Sequence, residues 1–439
     1  MPTSQRDAGL VRAVGPWGLA ASIIGIVVGA SIFVVPAALA ANSGSYAPLV
    51  ILLCALAVGA VAICFAEGGS RIPSSGGAYG YIEGAFGPLT GYVAGTLLWF
   101  GDVLACGGIA AALADVGASV LAEPFRAAAH ALIIVGVIGG IAFVNVGGVK
   151  YGIRLVNATT LLKVAPLVIF VIAGAGAIHI GNFQHSTAAS GTGLGRAVIL
   201  AVFAFMGMET ALSASGEVAQ PERTIPRALA LGMAAVTLLY VGIQIVAQGI
   251  LGPALALSTT PLVDAMAKIS PALRWLMLAG AAISMFGFLS SDILGTPRVL
   301  FAFARDGLLP SALGRVHPRS HAPHVAIICY AAIAVALALT GTFAELAVLS
   351  ALTTAPLYIA GCAATWWLAR RGVAQSGQPL NFRWLGTATI VGMASMLALI
   401  ALGSRAEITG LFALIGASVA LYLLQTRLSR RRSAKHERS

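Results

Sequence analysis

Gly25-Ile26-Val27-Val28-Gly29-Ala30-Ser31-Ile32-Phe33 and Phe203-Ala204-Phe205-Met206-Gly207-Met208-Glu209-Thr210 are the two stretches on which the fold turns. Each interrupts an apolar run with glycine, and each of those runs opens a group of five. Matched glycine-interrupted helices in two halves of five predict an inverted repeat, because an odd number of spans puts the second copy into the bilayer upside down. Unwound backbone is tolerated at membrane depth only where it lines a polar cavity, since its free N–H and C=O groups need partners. Substrate groups would be those partners. The competing account of either stretch taken singly is that glycine simply allows close helix packing.

The rest of the chain agrees with a bilayer setting. Of 439 residues, 59% are hydrophobic and 9% charged, with 52 glycines, too little polar surface for a water-soluble core of that size. Apolar runs of roughly 20 residues, the length that spans a bilayer, read at 17–40, 46–66, 86–121, 128–147, 152–178, 196–215, 228–250, 274–303, 323–341, 343–368, 385–403 and 406–425. The expected fold class is therefore an all-α membrane protein of twelve transmembrane helices. Its first run is long and closely followed by a second, unlike a cleaved signal peptide. The division is a cytoplasmic N-terminus at 1–15, a first repeat at 16–178, a second at 179–368, two further helices at 369–425 and a basic tail at 426–439. The five cysteines all fall inside apolar runs without metal-ligand spacing and read as packing residues. No metal or cofactor is expected.

A net charge of +11 could suggest nucleic acid, but the basic residues alternate between loops. With the N-terminus in the cytoplasm, twenty Lys and Arg fall on that side and five outside, the latter being Arg126, Arg196, Lys268, Arg274 and Arg405. This bias predicts both termini in the cytoplasm of a multi-pass plasma-membrane protein, with no nucleic-acid partner. The tail cluster from Arg427 to Arg438 reads as an anchor beside anionic lipid.

Several motifs, in order, resemble the amino acid–polyamine–organocation transporter family from about residue 9 to 425. Gly29-Ala30-Ser31-Ile32-Phe33 is similar to the family's Gly-Ser-Gly-Ile-Phe motif in the first helix, and Glu67 to Tyr79 resembles the loop after its second helix. Phe203 to Glu209 resembles the sixth-helix break, Glu217 to Pro226 the loop beyond it, and Pro297-Arg298 with Ala304 to Pro310 the end of the eighth helix. The resemblance implies a LeuT-like fold of five plus five helices with two appended, moving amino acids by alternating access. It also implies that Val27, Gly29, Ala30 and Ser31 hold the substrate carboxylate, while Phe203, Met206 and Gly207 hold and cover the amine. A half-helix N-terminus favours an anion and orphan carbonyls favour a cation, which agrees. Ala30 and Ser31 depart from the motif, where a small residue and then glycine are usual; serine adds a hydroxyl and slightly stiffens the break.

Ionisable groups at membrane depth are costly and usually functional. Lys163 resembles the lysine that sodium-independent members carry where sodium-coupled relatives bind the ion. Its ammonium would stand in for that cation beside the first-helix break and could exchange a proton; otherwise it snorkels to the cytoplasmic surface near Arg154. Asp102 and Asp292 lie on the third helix of each repeat, each eleven residues from the cytoplasmic end taken at Gly91 and Phe303, or roughly 16 Å. Equal depth on symmetry-related helices is what two walls of one site would show. An acidic pair there attracts a cationic substrate such as arginine, lysine, ornithine, agmatine or a polyamine. Alternatively, one aspartate pairs with Lys163, or either is neutral and hydrogen-bonded to Ser290, Ser291 or backbone, leaving proton symport of small neutral amino acids. Glu209 resembles the family's sixth-helix glutamate, either as part of a cytoplasmic gate or proton path or as a structural hydrogen-bond hub.

Two other classes fit less well. An intramembrane enzyme needs a nucleophile with a base, a metal motif or paired acids within a turn, and the seven histidines lie in or near loops as surface residues would. A channel normally repeats a short pore unit by oligomerisation and needs no matched breaks in one chain. The expectation is a secondary carrier, proton-coupled or exchanging, with coupling or gating at Lys163 and Glu209.

Overall fold

A computed structural model describes residues 15–72, 78–147, 163–183, 191–212, 218–375 and 379–436. Among them the regular structure is helical: α1 (Pro16–Val27), α2 (Val35–Ser43), α3 (Ala47–Arg71), α4 (Ala78–Phe86), α5 (Pro88–Ala118), α6 (Glu123–Gly147), α7 (Val164–Ala175), α8 (Gly191–Phe205), α9 (Met208–Ala211), α10 (Pro221–Leu251), α11 (Pro261–Ala267), α12 (Pro271–Gly295), α13 (Pro297–Arg305), α14 (His324–Thr340), α15 (Phe343–Arg370), α16 (Leu385–Ala401) and α17 (Arg405–His436), with short 3-10 turns between. Seven segments are long and apolar enough to cross a membrane, and α1, α7, α8, α14 and α16 are shorter apolar helices.

Helix ends follow their residues. Proline stands at N1 or N2 of α1, α2, α3, α5, α10, α11, α12 and α13, where a missing N–H costs nothing. α15 starts on a capping box between Thr342 and Glu345. The centre is α5 and α15, packed on each other, with α3, α12 and α14 against one or both of them, while α10 packs on α3 and α1. Gly101 sits where a Cβ would come within 2.7 Å of Thr354 Oγ1, and Ser350 donates to the Gly101 carbonyl at 2.7 Å, so the two central helices meet backbone to side chain.

Three features differ from the run-by-run expectation. Residues 78–86, expected as loop, form α4, which packs on α5 and α15. A 3-10 turn and α11 occupy 252–267 between the expected spans. The run expected as one helix at 274–303 is interrupted in its hydrogen-bond ladder at Thr296, because Pro297 has no N–H to continue it, while Thr296 itself keeps a helical backbone.

Candidate functional site

Interruption of the first run is found at residues 28–30: α1 ends at Val27, a 3-10 turn covers Ser31–Phe33, and α2 resumes at Val35. The sixth run breaks at Met206-Gly207, between α8 and α9, and Gly207 has φ +109°, a conformation that side-chain-bearing residues rarely adopt. α9 packs on α1. A Cβ on Gly207 would lie 3.0 Å from Ile26 Cγ2 and 3.7 Å from the Ile26 carbonyl oxygen, so glycine is what lets the two breaks touch.

The amides of Gly29, Ala30 and Ile32 find no acceptor among the described residues, and the carbonyls of Ile26, Val28 and Met206 find no donor there. Unpaired backbone groups of both signs at adjoining breaks can take an anion at the amides and an ammonium at the carbonyls. Other carbonyls of the breaks are claimed by side chains. Lys163, 4% exposed and just ahead of α7, donates from Nζ to the Gly25 oxygen at 3.0 Å. Ser284 donates to the Gly29 oxygen at 2.8 Å. The Tyr240 hydroxyl lies 2.7 Å from the Val27 oxygen and 3.0 Å from that of Ala204, bracing both breaks with one group. Four and eight residues along α10, Gln244 and Gln248 donate to the Pro36 and Gly44 carbonyls, fixing α2 to the same helix.

Lys163 is thus aimed at the first break and does not snorkel; Arg154, its alternative neighbour, lies outside the described residues. Val27, Ala30 and Ser31 are buried at the break. Phe203 packs edge-on against Phe343, and its carbonyl accepts from the Met206 amide, so its side chain belongs to the packed wall. Met206 and Gly207 are half-buried. Glu209 turns back to accept from the Gly207 amide, at 3.1 and 3.3 Å to its two oxygens, and from the Tyr358 hydroxyl at 2.6 Å. That is the geometry of a hub holding the break in shape.

Asp102 and Asp292 are brought together. Thr296 Oγ1 lies 3.0 Å from Asp102 Oδ2 and 3.2 Å from Asp292 Oδ1, and Tyr330 donates to Asp292 Oδ2. Three oxygen–oxygen contacts need three protons and the two hydroxyls supply two; either Thr296 shares its proton between both carboxylates or one carboxyl group keeps a proton. Neither aspartate is within ion-pair distance of a described cation. Ser290 and Ser291, considered as partners, bond their own i−4 carbonyls instead. Ser284, Phe288 and Asp292 recur every fourth residue on α12; Ser284 and Phe288 both meet Gly29, and Asp292 lies one turn further on, roughly 6 Å along the helix from Phe288.

A second polar cluster occupies the motif after the second run. Glu67 and Arg71, 0% and 4% exposed, pair at 2.7 Å. Glu67 also accepts from the Asn381 and Phe382 amides, while Arg71 reaches the Val373 carbonyl and Asn381 Oδ1, clipping the segment between α15 and α16 to the end of α3.

Tyr240, Ser284, Thr296, Tyr330 and Tyr358 were not singled out from the sequence. The available signal was polarity at fourth-residue spacing inside apolar runs, as at Tyr240, Gln244 and Gln248 or Ser284, Asp292 and Thr296.

Known proteins resemble this chain along most of its length. The family model described as Amino acid permease matches residues 14–421. An uncharacterised transporter of Mycobacterium tuberculosis is 34% identical over 330 residues, 72% of this chain and 71% of the relative. The serine/threonine exchanger SteT of Bacillus subtilis is 29% identical over 344 residues, 76% and 78% of the two chains. The branched-chain amino acid permease BcaP of the same organism is 25% identical over 412 residues, 90% and 88%. The chain therefore belongs to the amino acid permease family of membrane transport proteins.

Proposed function

We propose that this protein is a secondary active carrier of amino acids in the plasma membrane, working by alternating access and independent of sodium. The observation that carries the proposal is the meeting of two helix breaks where, among the described residues, the amides of Gly29, Ala30 and Ile32 and the carbonyls of Ile26, Val28 and Met206 are unpaired. In this reading the α-carboxylate caps the amides and the α-ammonium bridges the carbonyls, with Ser31 beside the first and Met206 and Gly207 beside the second. Any amino acid presents those two groups, so the breaks supply affinity common to the class.

The full topology of the proposal is twelve spans, a five-plus-five inverted repeat at 16–178 and 179–368, and both termini in the cytoplasm. It is supported by breaks of matching position and by the distribution of Lys and Arg. Lys163, holding the Gly25 carbonyl, fills the place of a coupling cation, and transport is coupled to protons or to exchange.

For the side chain we propose a preference for basic substrates, carried by Asp102 and Asp292, two carboxyl groups at one place with no described counter-charge. A specific observation favours a second reading, small neutral amino acids: Thr296 and Tyr330 already occupy both carboxyl groups, which lets the pair act as a brace between α5, α12 and α14. Uptake of labelled arginine into proteoliposomes, with neutral amino acids, basic amino acids and polyamines as competitors and with or without an inward proton gradient, tests these. Best competition by basic compounds, lost in Asp102→Asn and Asp292→Asn, supports the first reading. Serine or leucine uptake that both variants keep, with no arginine uptake, supports the second. Failure of every amino acid to enter or exchange overturns the carrier proposal itself.

A further inference from the structure

The rim where α15 ends and α16 begins carries three arginines with no acidic partner among the described residues. Arg370 lies over the Trp366 ring at 4.7 Å, Arg371 over Trp367 at 4.0 Å, and Arg383 beside Trp384 at 5.8 Å. No described carboxylate is within ion-pair distance of any of them. A guanidinium stacked on an indole face keeps its N–H edges open, and those edges fit phosphate oxygens in a way an ammonium does not. The three are held near one another by more than chance of sequence. α15 and α16 pack along each other, and both ends of the segment joining them are tied to α3, through Arg71 to Val373 and through Glu67 to the Asn381 and Phe382 amides.

The apolar surroundings decide what kind of phosphate fits. Trp384 is 62% exposed, Trp366 40% and Leu380 37%, and Ile390 and Val391 continue the exposed apolar surface down α16. A soluble anion makes no use of such a wall; an acyl chain does. Tryptophan with basic residues at the end of an apolar helix face is also the composition of the headgroup level of a bilayer.

We infer that this rim is a binding site for an anionic phospholipid, its phosphate held by Arg370, Arg371 and Arg383 and its acyl chains lying along Trp384, Ile390 and Val391. In the orientation proposed above the lipid belongs to the cytoplasmic leaflet. Its residues are not those of the basic tail beginning at Arg427, and it borders the clip between α3 and the α15–α16 segment. The occupant therefore lies against an element tied to the second span.

The test uses the full-length protein purified in a neutral detergent, with dioleoyl phosphatidylglycerol or dioleoyl phosphatidylcholine added and bound lipid counted by native mass spectrometry. Each basic residue near an anionic lipid surface contributes about fivefold in binding, so R370Q/R371Q/R383Q is expected to weaken phosphatidylglycerol retention roughly a hundredfold. R370K/R371K/R383K, which keeps charge but loses the planar fork, is expected to fall between the two, and Arg427→Gln to bind as the parent does. Amino acid exchange in proteoliposomes, retained by the glutamine variant, shows that it is folded. The inference is overturned if the glutamine variant retains phosphatidylglycerol as the parent does, or if phosphatidylcholine is held equally well. It is also overturned if millimolar inorganic phosphate or acyl-free glycerophosphoglycerol displaces the lipid, since the site would then recognise a soluble anion.

Discussion

Replacing Gly207 by alanine tests whether contact between the two breaks sets the working geometry. Two penalties apply. At φ +109° an alanine is held in a backbone region it rarely occupies, at a cost of order 1–3 kcal/mol. The new methyl also lies 3.0 Å from Ile26 Cγ2, so Ile26 must yield by a few tenths of an ångström. If α9 keeps its place, the strain falls on the conformer that binds substrate, and 1–3 kcal/mol corresponds to a rise in KM of roughly 5- to 150-fold. Uptake in proteoliposomes at varied substrate concentration reads this, and thermal unfolding in detergent shows whether the fold pays as well. Ile26→Ala removes Cγ2, so the double variant recovers the steric part while at least about a fivefold defect persists from the backbone part. Gly59→Ala is the control, in a helix at a site where a Cβ meets nothing within 4 Å, and is expected to be neutral or slightly stabilising. A Gly207→Ala protein with KM and unfolding temperature both unchanged would refute the claim that these breaks must touch.

Other substitutions separate the supports of the site. Tyr240→Phe leaves the buried Val27 and Ala204 carbonyls without their hydroxyl and is expected to cost about 1–3 kcal/mol, seen as a lower unfolding temperature with fold retained. Lys163→Ala frees the Gly25 carbonyl and is expected to abolish concentrative uptake while sparing expression; undiminished uptake would take Lys163 out of the mechanism. Glu67→Ala strands Arg71 and is expected to cost about 3–5 kcal/mol, whereas Glu67→Ala with Arg71→Met costs less than Glu67→Ala alone because no buried charge is left unpaired. Chemical denaturation of the two variants side by side measures the difference, and equal losses would show that the pair is not coupled.

Composition and hydropathy gave the helical membrane character at once, because a long apolar run has few alternatives to a helix in lipid. The breaks were legible too, since Gly29 and Gly207 interrupt otherwise unbroken runs. What stayed hidden was the tertiary assignment of polar side chains. Ser290 and Ser291 adjoin Asp292 in sequence, yet each turns back to its own helix, while Thr296, four residues on, joins Asp292 to Asp102 across two helices. A hydroxyl in a membrane helix can always fall back on its i−4 carbonyl, so adjacency in sequence does not reveal which one reaches out. The interruption of the eighth run at Thr296 was written in Pro297, but a proline inside an apolar run can kink a helix or end it, and only packing decides. The Glu67 and Arg71 motif was recognisable, whereas its partner segment lies some 300 residues away.

The arrangement separates two kinds of recognition. In the proposed reading the breaks present backbone, which cannot be changed by substitution, to the groups that every amino acid shares. Discrimination between side chains must then come from residues lining the space beyond, and α12 connects the two zones directly: Ser284 and Phe288 meet Gly29 at one end of a fourth-residue stripe, and Asp292 and Thr296 meet Asp102 and Tyr330 at the other. One helix joining them means that a shift of α12 at the break is carried to the acid pair, one turn or roughly 6 Å beyond Phe288. Thr296 and Asp292 move together at the end of α12, so such a shift falls on the Thr296 contact to Asp102 across the helices. If the first break is the substrate site proposed above, the pair sits on a helix that also touches that site, whether it reads a basic side chain or braces the helices.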